Sequence, residues 1–247
     1  MTRSIVERVI QRIRADPSYQ LDERIATRDI AAEVYARLTA LVRAQWKLMG
    51  VSGGRWRFIE SGCAIRHRRF LTVGSGSVIE HGTRFTCLSR NGIKIGKRVT
   101  IGKYALIECT SVLWNLGEGL EVGDNSSIGD YSFVGCAAGV KIGSNVLMGQ
   151  RVSFHSQNHL FEDVTRPIRE QGVTSSPIVI GDDCWLGSGT IVLSGVEIGA
   201  GSVVAAGSVV NRSFGPNSIL AGVPARLVRL RGDTDVEGTG VDESASL

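Results

Sequence analysis

An apolar residue recurs every sixth position through most of this 247-residue chain. The series runs Val73, Ile79, Phe85; Ile95, Ile101, Ile107; Val122, Ile128, Val134; Ile142, Met148, Phe154; and Ile180, Leu186, Val192, Ile198, Val204. Eleven of these 17 positions are followed directly by Gly, and at 16 of them the residue four further on is Ser, Thr, Ala, Val or Cys. In an extended chain, residues two apart point to the same side. Pairs such as Val99/Ile101, Ser132/Val134, Cys184/Leu186 and Ser202/Val204 therefore face inward together, and the dipeptides before them (Lys97-Arg98, Asp182-Asp183) make corners. Short strands alternating with corners wind a coil around stacked aliphatic and small side chains. The two-residue period excludes a helix here, and Gly after the aliphatic fits a position where a Cβ would crowd.

Three hexads make one coil of 18 residues. Successive triplets start 22, 27, 20, 38 and 18 residues apart, so the insertions between coils measure 4, 9, 2, 20 and 0 residues. In solenoids, insertions map to loops at coil edges, often on the binding face. The 20-residue insertion, about 155–177 from His155 to Pro177, is the place to look for chemistry.

A stack of coils leaves open sheet edges that need cover. Residues 1–57 lack the hexad and read as a helical cap, 58–230 as the solenoid, and 231–247 as a solvated acidic tail. In the cap, Ile5, Val6, Val9, Ile10 and Ile13 line one face of a first helix, with Arg8, Arg12 and Arg14 opposite. A second helix is expected from Thr27, as N-cap, to about Trp46, burying Ile30, Val34, Leu38, Leu41 and Val42. Two readings stand: a cap or trimer-stabilising element, or a basic surface that meets an anionic membrane with help from Arg66, Arg68 and Arg69. At the far end, PARLVRLR after Gly222 suggests a short closing helix or strand.

Composition excludes several classes. With 43% hydrophobic and 21% charged residues the chain is globular. No stretch approaches the ~18 apolar residues of a membrane span, and the start lacks the apolar core of a secretory signal. Five scattered cysteines without a C-x-x-C pair argue against a disulfide framework or zinc knuckle and fit a reducing cytoplasm. The net charge of +4 is too weak to point to nucleic acid. The tail from Gly232 holds five acids and no Lys or Arg, so 28 basic residues face 19 acidic ones elsewhere.

From about 73 to 230 the chain resembles the hexapeptide-repeat acyltransferases. The pieces SQNHLF, RPIREQG, SPIVIGDDCWLGSGTIVLSGVEIGAGSVVAAGSVV and AGVPARLVRLR are similar to the bacterial sugar and polysaccharide O-acetyltransferase branch. The resemblance implies a mainly β fold, a left-handed parallel β-helix of about six coils. It also implies a homotrimer with active sites between subunits, acetyl-CoA as co-substrate, no metal, a carbohydrate acceptor in glycan assembly, and a cytoplasmic location, including the inner face of the membrane.

His159 matches the loop histidine that acts as general base in these enzymes. An alcohol has a pKa far above 7, so its attack on a thioester needs the proton removed as the bond forms, and neutral imidazole suits this. The plain alternative is a structural loop histidine. His155 follows a rung residue and would orient His159 or touch substrate; Asn158, Arg166 and Arg169 are expected at the acceptor, the arginines toward an acidic or phosphorylated one. Glu162, Asp163 and Glu170 are nearby in sequence, but a loop carboxylate is more often solvated, and none is assigned as the partner of His159. The Ser188 N–H matches an oxyanion donor, or Ser188 is simply a corner residue. Trp185 resembles the aromatic beside the pantetheine arm and Ala206 a backbone contact to it. Asn211 and Arg212 fall at the adenine end. Arg226 and Arg229 match CoA-phosphate contacts, where a guanidinium fork suits phosphate oxygens, against the reading of a solvated face. Cys184 is a small core filler, and His67 and His81 read as solvated surface.

Rival functions remain. N-acetylation of an amino-sugar would use the same base and donor. A trimeric zinc carbonic anhydrase shares the fold, but its third histidine would have to be His81 or His67, far off in the stack. An inactive scaffold would not need an intact His159 and complete carboxy-terminal coils.

Overall fold

The computed structural model describes residues 3–14, 17–110, 113 and 115–233; the acidic tail from residue 234 lies outside the described residues. Two helices, α1 (Arg3–Arg14) and α2 (Thr27–Lys47), precede a stack of short parallel strands arranged in three faces. The first face holds seven strands, from Ser52–Gly53 to Glu197–Ile198, and the third holds seven, from Ala64–Arg66 to Val209–Val210. The second face comprises a four-stranded and a five-stranded sheet, the latter beginning at Leu147–Met148.

Register follows the hexad. Leu120 pairs with Ile93 and Val140, and Val122 with Ile95 and Ile142, so like residues stack rung on rung. Ile101 and Ile128 stack on the second face and Ile198 lies on the first, at 0%, 1% and 0% exposure, so all three point into the interior. The small residues beside them are buried too, and they stitch the coils. Ser77 Oγ donates to Gly96 O at 2.8 Å and accepts from Val99 N at 3.0 Å, and Ser126 repeats the pattern two coils later. Inward hydroxyls thus supply hydrogen bonds where the corner breaks the backbone ladder.

The stack starts earlier than the hexad count suggested. Ser52–Gly53 pairs with Thr72 and Val73, Phe58–Ile59 with Val78 and Ile79, and Ala64–Arg66 with Arg84 to Thr86. This rung precedes Val73, so the β-stack reaches back past residue 58 toward the end of α2.

α2 covers the open end of that rung. Arg43 Nη1 donates to Ile59 O at 2.9 Å, Lys47 Nζ to Cys63 O at 2.8 Å and Arg57 Nη1 to Val51 O at 3.1 Å, satisfying edge carbonyls. Two helix expectations need correction. Thr27 is the first helical residue, the cap is Ala26 with no side-chain bond, and Asp29 in the first turn faces the positive dipole end. The buried face is Ile30, Ala40 and Ala44, continued by Leu48, because alanines let the helix sit close on the rung. Val34 and Leu41 are half-buried, whereas Leu38 and Val42 are 55% and 60% exposed. In α1, Val6 is buried, Ile10 half-buried, and Ile5 and Val9 exposed; the Ile13 side chain lies outside the described residues.

The carboxy-terminal closure is a strand. Ala225–Leu230 runs antiparallel to Ser218–Gly222, and Arg231 Nη1 pins its end to Asp183 at 2.9 Å and Gly201 O at 3.2 Å.

All five thiols are free and buried. Desolvation pushes the Cys87 thiol up to about 12 and Cys136 well above the ordinary thiol range. The nucleophilic thiolate is therefore scarce at neutral pH. Native protein should release essentially no colour from 5,5′-dithiobis(2-nitrobenzoate), and unfolded protein should titrate all five; fast native reaction would contradict this core.

Candidate functional site

The long insertion leaves the corner between the third and first faces. It forms a hairpin in which Gln157–His159 pairs antiparallel with Val173–Ser175, placing His159 opposite Val173 and Asn158 opposite Thr174. Its root is held by serines: Ser156 Oγ donates to Gly135 O at 2.7 Å, Ser176 N to Ser156 O at 3.2 Å, and Ser194 Oγ to Ser156 O at 3.1 Å. The tip braces itself. Asp163 accepts from Thr165 N at 3.0 Å and Thr165 Oγ1 at 2.6 Å, which holds its carboxyl below the usual range. Gln171 Nε2 donates to Asp163 O and Arg166 O, and Arg166 Nη2 to Glu170 O at 2.6 Å. Arg169 lies in the exposed turn Ile168–Glu170.

His159 is exposed, and among the described residues no group of this chain hydrogen-bonds its ring. Asp163 is committed to its own turn. His155 ends a rung strand on the outer surface of the third face, in register with Gly135 and Leu193, with its ring 5.4 Å from Phe133. The two histidines therefore stand on different elements. His67 is exposed with a left-handed backbone, and His81 Nδ1 lies 2.8 Å from Ser61 Oγ at a corner.

Ser188 occupies a different edge, the corner between the second and third faces. Gly187 N and Gly189 N on either side donate to Val204 O at 2.8 Å and Gln150 O at 2.8 Å. One rung on, Ala205 N and Gly207 N flank Ala206 and donate to Leu220 O and Ser188 O. The amides of Ser188 and Ala206 take no part in this ladder, and both residues are exposed. Close stacking enforces the arrangement. A Cβ at Gly149 would come 2.5 Å from Ser188 N, and one at Gly187 would come 2.5 Å from Ala206 N. Gly149, which follows the hexad residue Met148, is a supporting position that sequence reasoning passed over. Its signal was the Gly after the aliphatic.

A row of residues runs from this edge to the end of the stack. Trp185 pairs with Val203, Val203 with Ile219, and Ile219 with Arg229; Arg226 pairs with Ala221 alongside. At strand spacing the row spans about 14 Å. Arg226 and Arg229 bond only to carbonyls, Ala225 O for the first and Leu230 O and Asp233 O for the second, and among the described residues neither meets a carboxylate. Arg212 lies 5.0 Å over the Phe214 ring, next to the exposed Asn211. The structure thus groups Trp185, Ser188, Ala206, Arg226 and Arg229 on one side. His155, Asn158, His159, Arg166 and Arg169 lie at or beyond another edge of the prism.

Residues 177–212 match the family described as bacterial transferase hexapeptide (six repeats). The galactoside O-acetyltransferase of Escherichia coli K12 is 34% identical over 137 residues, 55% of this chain and 66% of that protein. A probable acetyltransferase of Mycobacterium tuberculosis is 38% identical over 92 residues, 37% of this chain and 31% of that protein. The match therefore spans under two thirds of these relatives' own lengths. Among solved structures, AntD, an N-acyltransferase from Bacillus cereus in complex with a dTDP-amino-sugar and coenzyme A, superposes with a TM-score of 0.53 at 20% identity. That superposition covers 77% of this chain and 89% of AntD, and it shows a shared fold. Residues 177–212 thus carry the hexapeptide transferase repeat, and over about half its length the chain is similar to acetyltransferases that include the galactoside O-acetyltransferase.

Proposed function

We propose that this protein is an acetyl-CoA-dependent O-acetyltransferase that modifies a hydroxyl of a sugar or polysaccharide precursor in the cytoplasm. The observation that carries the reading is that Ser188 and Ala206, whose amides stand outside the ladder as at other corners, share one edge with a row that ends in guanidiniums meeting no carboxylate among the described residues. An elongated ligand with a thioester at one end and phosphates at the other fits this row. The pantetheine arm lies along Trp185 and the Ala206 N–H and the phosphates meet Arg226 and Arg229, while Asn211 and Arg212, between Val210 on the third face and Phe214 beside Ile198 on the first, reach the adenine end only from a neighbouring copy.

Because His159 and Ser188 occupy different edges, the site is completed between copies, as in a homotrimer of left-handed β-helices. The hairpin of one subunit faces the Ser188 edge of the next. There the His159 imidazole takes the acceptor hydroxyl proton as oxygen attacks the thioester carbonyl, and the Ser188 N–H meets the developing oxyanion. Collapse expels the CoA thiolate, which takes the proton from the imidazolium. His155, Asn158 and Arg169 supply polar contacts to the acceptor. Arg166, already braced within the loop, sets the shape of the tip.

The test is transfer of labelled acetyl from acetyl-CoA to a panel of sugars, nucleotide-sugars and lipid-linked glycans. An alkali-labile ester product is expected. An alkali-stable amide formed only on amino-sugars would replace the proposal with N-acetylation. For the donor end, Arg226→Ala should weaken CoA binding about tenfold and dephospho-CoA little, measured by titration calorimetry. Equal weakening of both would remove the 3′-phosphate from Arg226.

A further inference from the structure

α2 has two apolar faces. One buries Ile30, Ala40, Ala44 and Leu48 against the first rung. The other presents Tyr35, Leu38, Val42 and Trp46, a continuous helical stripe that Met49 extends in the turn after the helix. Tyr35 and Trp46 are each 71% exposed and Met49 58%. The stripe lies opposite the buried face, and the buried face sits on the open-edge carbonyls of the first rung. It therefore points away from the stack, along its axis.

The same end is strongly basic. Residues 37–69 contain eight Lys or Arg and one acid, Glu60. Arg43, Lys47 and Arg57 are turned inward to carbonyls. Arg55, Arg66, Arg68 and Arg69 are exposed, and among the described residues none pairs with a carboxylate. Arg68, Arg69, His67 and Ile65 line a shallow open hollow. Trp56, 56% exposed, follows Arg55 at the corner between the first and second faces of the same rung.

We propose that this end of the prism is a docking surface for an anionic lipid bilayer, with the α2 stripe in the interface and the arginines on the headgroups. Amphipathic aromatics settle at the boundary between headgroup and acyl chain, and clustered arginines are drawn to negative surfaces. Among the described residues no helix is long and apolar enough to cross a membrane, so the contact is peripheral. The charge also selects the bilayer over a second copy. Pairing two such caps face to face would bring two basic surfaces together, since residues 27–69 hold nine Lys or Arg against three acids, Asp29, Glu33 and Glu60.

The experiment is co-sedimentation of the full chain with phosphatidylcholine vesicles, with and without phosphatidylglycerol, at low and high salt, together with light scattering for oligomer mass. Binding should require phosphatidylglycerol, fall with salt, and be accompanied by a blue shift of tryptophan emission. The Arg66→Glu/Arg68→Glu/Arg69→Glu variant should lower partitioning by at least about a hundredfold, at about fivefold per charge lost. The Leu38→Ser/Trp46→Ser variant should also release the protein from vesicles while leaving oligomer mass and acetyl-CoA binding unchanged. Absence of phosphatidylglycerol-dependent binding, or binding retained in both variants, would overturn the proposal. A fall in oligomer mass with the stripe variant would assign the face to another copy of the chain instead.

Discussion

Replacing His159 by Ala should lower turnover by roughly 10²–10⁴-fold, the range for loss of a positioned general base. The side chain is exposed on a hairpin held by backbone pairing and by serines at its root, so its truncation removes little packing. Circular dichroism and thermal unfolding should therefore match the parent protein. Acetyl-CoA affinity should hold too, because the Trp185–Arg229 row lies at another edge of the prism. A fall in kcat with unchanged Kd for acetyl-CoA is the signature of a base. A weakened Kd with unchanged kcat would instead make His159 part of the binding wall. Undiminished kcat/KM would remove it from the chemistry altogether. His155→Ala provides the contrast. On the sheet surface against Phe133 it is expected to change KM for the acceptor by no more than about tenfold, the scale of one lost hydrogen bond to substrate.

Most of the stack was legible because its physics is local. Every rung needs an inward aliphatic and a small neighbour, and the chain states both at fixed spacing. The first rung escaped notice for a physical reason. Gly53, Ile59 and Ile65 keep the six-residue spacing, but a glycine stands where the aliphatic belongs, and a Cβ there would collide with Val73 O at 1.9 Å. α2 misled in the opposite direction. Leu38 and Val42 carry a strong hydrophobic signal and lie outside, whereas Ala40 and Ala44 carry a weak one and make the contact. The candidate site divides the same way. Trp185, Ser188 and Ala206 could be placed because they sit at repeat positions. The row through Val203 and Ile219 to Arg229 depends on an antiparallel return that no hexad encodes. The group that orients His159 was not readable, since among the described residues none of the hairpin's own carboxylates bonds its ring.

Introducing a carboxylate into the interior column should be the most damaging single change to stability. Ile128 is 1% exposed and pairs with Ile101 at the middle of the stack. Ile128→Ala removes three carbons from a site that neighbouring rungs cannot close, costing about 2–5 kcal/mol. For a domain of this size that corresponds to a fall in Tm of roughly 5–15 °C. Ile128→Asp adds an unpaired charge among aliphatics and should yield insoluble or unfolded protein, since burying an uncompensated carboxylate costs more than a typical domain's margin of stability. Ser127→Asp, one residue away on the outward side, is the control and should shift Tm by only a degree or two. The pair separates position from composition: the same charge, moved by one residue, crosses from the inside of the prism to its surface. Expression yield and calorimetric Tm of the three variants decide the matter. A soluble Ile128→Asp protein melting with the parent would mean that the hexad residues do not share one dry interior, and without that interior nothing fixes the Ser188 and Ala206 amides on a common edge.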